Sequence, residues 1–197
     1  MSLMSKRGQI INYLKGWQVI TLKEACTLGI NAMMLTRAVK EGWLHRLGKA
    51  VYSDNPDLPF DPVKKFLPVV AKYPEAILTS ISALSLHGLT DEEEREIWIA
   101  LPHNKKVQGQ KGIKVLRLSG PAYSLGIQTL EIGKREVRFY DREKSVVDAF
   151  KYLTEEIAIK ALKAYLQKPK INVTKLLDYG KRLGRPLHEE VKTIMTV

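Results

Sequence analysis

The sequence predicts an α+β protein, and three observations carry that reading. Apolar residues recur at three- and four-residue spacing up to Lys40, and again from Arg142 to Met195, as one face of a helix requires. Between those stretches lie short apolar or alternating runs bounded by glycine and proline, which have the period of strands. Hydrophobic residues make up 45% of the chain and charged residues 27%, the balance of a folded domain and not of a disordered one.

Met1-Ser2-Leu3 ahead of Met4 reads as an expression remnant, so the natural start is expected at Met4. Met4–Leu14 is the first expected helix, with Ile10, Ile11 and Leu14 on one side and Gly16 as its breaker. Thr21 and Glu24 match a capping box, each side chain able to serve the other's backbone amide. That box opens a short helix from Leu22 to Leu28, ended by Gly29. Asn31 can cap a third helix, whose apolar stripe is Leu35, Ala38 and Val39 and whose end is marked by Gly42. Trp43-Leu44-His45-Arg46 and Val51-Tyr52 flank Gly48-Lys49 as two short strands and a turn. Helices and hairpin in this order make a winged helix-turn-helix over residues 1–55.

Asn55-Pro56-Asp57-Leu58-Pro59 is the expected domain boundary. Residues 56–197 then form a mixed α/β domain with a helical C-terminus. Its expected helices are Asp61–Lys72 and Thr79–His87, followed by a strand at Ile97–Leu101 stopped by Pro102 and another at Val115–Leu118. Ile127–Ile132 and Glu136–Tyr140 form a hairpin about Gly133-Lys134. Four helices follow: Arg142–Leu153, Glu155–Gln167, Val173–Leu183 and Leu187–Met195.

Charge is the informative part of the composition. The net charge is +11, and it is unevenly spread. Residues 1–55 carry +5, residues 56–110 carry −2, and residues 111–197 carry +8. Such an excess favours polyanions through counterion release, and it also aids solubility. No apolar run reaches membrane-spanning length, the start lacks a signal-peptide core, and the single Cys26 excludes an internal disulfide. A cytoplasmic protein with no membrane partner is expected.

Motifs of catalysis fail in turn. His45, His87, His103 and His188 are scattered, and Cys26 has no partner at zinc-ligand spacing. Gly109-Gln110-Lys111-Gly112 lacks the ending of a phosphate-binding loop, and no G-x-S-x-G elbow is present. Asp91-Glu92-Glu93-Glu94 reads as the solvated first turn of a helix, where carboxylates are favoured. Asp148, set between Val147 and Ala149, is expected to face a buried polar partner. The chain is therefore expected to have no catalytic residue, no metal and no cofactor, and not to be an enzyme.

A DNA-reading set fares better. The Asn31 helix turns Leu35 inward and leaves Met33, Thr36, Arg37 and Lys40 outside, with Asn31 and Met34 at the end that enters a major groove. Arg37 can reach guanine or phosphate, and Thr36 a base edge or a thymine methyl. Arg46 and Lys49 flank the hairpin tip, where cations meet backbone phosphate. The competing reading is a protein-interaction scaffold whose winged helix docks a partner without sequence-specific DNA binding.

The chain resembles the AbiEi-type antitoxin and transcriptional-regulator family of abortive-infection systems. Three stretches carry the resemblance: Leu35–Arg46 leading into Gly48–Tyr52, then Ser82–Thr90, then Arg142–Phe150. It implies a repressor that binds an inverted-repeat operator in double-stranded DNA upstream of its own operon. It also implies a C-terminal domain that counters a nucleotidyltransferase-type toxin without a stable complex. Cooperatively loaded monomers and a dimer on DNA both fit an inverted repeat.

Overall fold

In the computed structural model, which describes residues 5–105 and 111–196, the Ser5 hydroxyl accepts the Gly8 amide and opens α1 (Lys6–Trp17). The helix runs through Gly16, which was expected to break it. Tyr13 and Trp17 stack one turn apart at 5.6 Å and carry the last turn past the glycine. Gln18, at φ 65, ends it by donating its amide to the Leu14 carbonyl. Met4, the expected start, lies outside the described residues, as do Gly109 and Gln110.

A two-residue strand that alternation could not reveal, β1 (Ile20–Thr21), leads directly into α2 (Leu22–Thr27). The capping box is formed as expected: Thr21 Oγ1 accepts the Glu24 amide at 3.2 Å, and Glu24 Oε2 accepts the Thr21 amide at 2.7 Å. Next come α3 (Ala32–Lys40), β2 (His45–Gly48) and β3 (Val51–Ser53). The antiparallel sheet has the order β1-β3-β2, with a register shift between Arg46 and Gly48. Ile10, Leu14, Ile20, Ala25, Ile30, Leu35, Ala38, Leu44 and Tyr52 form the core beneath these elements.

Asp61 does not begin a helix. Its carboxylate accepts the Val63 and Lys64 amides at 2.9 and 2.8 Å, which closes a turn. Two short 3₁₀ turns, Leu58–Phe60 and Lys64–Phe66, precede α4 (Leu67–Lys72), which packs on β1 and β3. Chain contacts define two units: Met1–Pro74 with Leu130–Val137, and Glu75–Thr129 with Arg138–Val197.

The second unit begins with β4 (Ile77–Leu78) and α5 (Ser80–Leu86), then β5 (Ile97–Pro102), β6 (Ile113–Leu118) and the short α6 (Pro121–Ser124). Strands β7 (Ile127–Ile132) and β8 (Arg135–Tyr140) complete a sheet of order β6-β5-β4-β8-β7, and the tip of their hairpin belongs to the first unit. Pairing is mixed: β4 is antiparallel to β5 and parallel to β8, while β5 and β6 are parallel. Helices α7 (Arg142–Tyr152), α8 (Glu155–Leu166), α9 (Val173–Arg182) and α10 (His188–Met195) follow. With α5 they bury Leu84, Val146, Val147, Leu162, Tyr165 and Leu176. The molecule is α+β, as the sequence predicts.

Asp91–Glu94 is a loop and not the first turn of a helix. Its groups are used in tertiary contacts instead. Glu92 lies 3.3 Å from Lys160 Nζ, and Glu94 accepts the Ser82 hydroxyl, whose oxygen in turn accepts the Trp98 amide. Asp148 does have its buried partners: Lys144 Nζ at 2.5 Å and the Thr79 hydroxyl at 3.2 Å. His87 Nε2 lies 2.8 Å from the Tyr140 carbonyl oxygen, which can only accept, so the ring donates there.

Candidate nucleic-acid interface

Helix α3 has two unlike faces. Leu35 and Ala38 are buried in the first unit's core, while Met33, Met34, Thr36, Arg37 and Lys40 are exposed. Asn31 sits at the N-cap, where its Oδ1 accepts the Met34 amide at 3.0 Å. Thr36 donates its hydroxyl proton to the Ala32 carbonyl at 2.9 Å, which leaves the hydroxyl oxygen free only to accept. Met33 is 79% exposed, a high value for an apolar side chain. Gly42, at φ 78, turns the chain out of the helix toward the hairpin.

In the hairpin, Arg46 lies on β2 and Lys49 in the turn itself, and both are exposed. Arg46 folds back so that its Nε donates to the Gly48 carbonyl at 3.2 Å. Ala50 takes φ 63 in the turn. The helix contributes Arg37 and Lys40, the ribbon contributes Arg46 and Lys49, and all four cations reach solvent.

Three side chains around Arg37 lie outside the set that the sequence predicts. Arg37 Nε donates to Glu41 Oε1 at 2.8 Å, and the Trp43 indole Nε1 donates to Glu41 Oε2 at 3.0 Å. The Arg7 guanidinium lies over the Trp43 ring, 4.9 Å from its centroid. The hydrogen bonds from Arg37 and then Trp43 hold the Glu41 carboxyl below the usual carboxylate range. The four-residue spacing of Arg37 and Glu41 was the available signal; nothing in the sequence marks the indole bond.

A second missed group supports the module from within. Arg135 is buried and donates to the Trp17 carbonyl at 3.2 Å, to the Val19 carbonyl at 2.9 Å and to both Glu24 oxygens at 2.9 and 3.1 Å. Its guanidinium also lies over the Trp17 ring at 5.1 Å. Burial alone would raise the Glu24 carboxyl; the Thr21 amide and Arg135 outweigh it and hold Glu24 below its ordinary value. Burial and the Glu24 charge together push the Tyr13 phenol up to about 12. Gly133 at the same hairpin tip has φ 60, and a Cβ there would collide with the Gly16 carbonyl oxygen.

Among the described residues, no three His, Cys, Asp or Glu side chains gather as metal ligands would, and no helix is long and apolar enough to cross a membrane. The helices, the hairpin and their exposed basic face lie in a stretch that matches a family of transcriptional regulators. That family is described as "Transcriptional regulator, AbiEi antitoxin", and its model matches residues 5–53. The first stretch of the resemblance, Leu35–Arg46 and Gly48–Tyr52, falls inside the match; Ser82–Thr90 and Arg142–Phe150 fall outside it. No curated protein matches the chain.

Proposed function

We propose that the protein is a DNA-binding transcriptional repressor of its own operon and an antitoxin that counters a nucleotidyltransferase-type toxin. In this reading residues 1–55 act as a winged helix-turn-helix on an inverted-repeat operator, and residues 56–197 carry the antitoxin role. The observation that carries it is the two-faced α3. Its inner face is core, and its outer face presents Arg37 and Lys40 beside the hairpin cations Arg46 and Lys49. A helix that buries one side and offers cations on the other can lie in a major groove, with the ribbon on the flanking phosphates. The match of residues 5–53 to AbiEi antitoxin regulators supports the same reading.

Asn31, Met33, Met34, Thr36, Arg37 and Lys40 are then the groove-facing set, and Arg46 and Lys49 the phosphate-facing set. The experiment is fluorescence anisotropy of the full chain with duplex DNA from its own promoter and with random duplex, across salt concentrations. Tighter binding to the promoter duplex, with log affinity falling linearly in log salt, supports the proposal.

One observation favours the scaffold reading. Met33 and Met34 are exposed apolar side chains in the first turn of α3, and such groups suit a protein partner. Equal, weak binding to both duplexes would favour it.

A further inference from the structure

We infer that Glu41 determines specificity by positioning Arg37: it fixes the guanidinium by its Nε so that the two terminal nitrogens are offered together to a guanine. The inference rests on the proposed DNA-binding reading. It starts from a placement that does the helix no good. An acidic residue at the C-terminal end of a helix opposes the macrodipole, and an acid four residues after a base is the weaker order for a helical pair. Glu41 is both, since it is the C-cap of α3 and follows Arg37 by four. Helix stability is therefore not what this carboxylate serves.

Its geometry serves the arginine. Oε1 takes Nε of Arg37 at 2.8 Å, while Oε2 is held at 3.0 Å by the indole of Trp43. An exposed pair on two flexible side chains samples many arrangements, whereas here one carboxylate oxygen is tied to a half-buried ring. That ring carries the Arg7 guanidinium on its face. The exposed Arg37 side chain, 81% accessible, is thus braced at its base and free at its fork. Guanine presents two adjacent acceptors, N7 and O6, in the major groove, which the pair of donors fits. Adenine presents an acceptor beside a donor, which it does not.

The test is selection of binding sites from a randomised duplex pool by wild type, Arg37→Ala, Arg37→Lys, Glu41→Ala and Trp43→Phe. Affinity for random duplex and circular dichroism are measured for each. The expected result is that Arg37→Ala and Glu41→Ala lose the same guanine preference, by about tenfold, while random-duplex affinity of Glu41→Ala holds or rises. Arg37→Lys weakens it, because an ammonium reaches the same two acceptors without a planar fork to fix its approach. Trp43→Phe keeps the ring, loses the indole donor, and weakens the preference less. A guanine preference that Arg37→Ala loses and Glu41→Ala keeps, in folded protein, overturns the inference while leaving the DNA-binding reading intact. Equal gains by Glu41→Ala on selected and random DNA also overturn it, since Glu41 would then only neutralise Arg37. Wild type that binds neither pool overturns both.

Discussion

Two ion pairs in this chain share one spacing and nothing else. Arg37 and Glu41 on α3 meet at 2.8 Å with side chains 81% and 44% exposed; Lys144 and Asp148 on α7 meet at 2.5 Å with side chains 1% and 2% exposed. In water the first pair is screened and adds little to the fold, so its groups are available to something else. The second pair has lost its hydration, and burial draws Lys144 below the ordinary ammonium value and pushes Asp148 above the ordinary carboxylate range. Mutual attraction opposes both shifts, and the Thr79 hydroxyl and the Tyr140 ring, 4.2 Å from Lys144 Nζ, share the load. Four residues apart on a helix, charge can be a tool or a rivet. Burial decides which.

The largest effect is expected at the buried pair. Asp148→Ala leaves an unpaired ammonium in the second unit's interior and is expected to cost about 3–5 kcal/mol in chemical denaturation. Replacing both partners, Lys144→Met with Asp148→Leu, is expected to recover most of that loss, because the desolvation penalty goes with the charges. A single variant as stable as wild type would mean the pair is not what holds α7 in place.

Next comes Arg135, a buried cation in the first unit. Arg135→Ala is expected to cost at least about 1.5–3 kcal/mol, the contribution of a single hydrogen bond to a charged group. The pH dependence follows from Glu24, whose folded-state value is depressed. The stability it contributes is present above the ordinary value of 4.5 and is lost as pH falls through the folded value. Denaturation followed at Trp17 between pH 3 and 6 is expected to show that acid loss in wild type, and a smaller one in Arg135→Ala. A loss of equal size in both would remove Arg135 from the cause.

How much of this was legible in the sequence differs along the chain. The caps of α2 and α3 were readable because Thr21, Glu24 and Asn31 act on amides three residues away. The hairpin was readable from alternation about Gly48. Strands β1 and β4 have two residues each, too short for any period to show. Gly16 misled because a side-chain stack beyond the glycine's reach continues the helix. Asp91–Glu94 misled because clustered carboxylates look alike at a helix start and in a loop that reaches Lys160. Arg135 and Glu24 are 111 positions apart, a pairing only the fold brings about. In the candidate interface the exposed set on α3 and the hairpin was legible from one apolar stripe, and the brace at Glu41 and Trp43 was not.

Smaller effects belong to the exposed face and appear in binding, not stability. Arg37→Ala is expected to cost about 1–3 kcal/mol on the preferred site and to leave the melting curve unmoved. Lys49→Ala is expected to weaken all duplexes alike and to lower the salt slope by about one unit, as loss of one phosphate contact does. A Lys49→Ala variant with an unchanged slope would take the hairpin tip off the phosphate backbone.

Hydrogen–deuterium exchange of the full chain, with and without promoter duplex, tests the contrast between the two pairs most directly. Exchange is expected to slow on DNA addition across residues 31–53, with α7 around Lys144 and Asp148 unchanged. Unchanged exchange over 31–53 under conditions where the duplex is bound would contradict this expectation, because the DNA would then be held by some other surface.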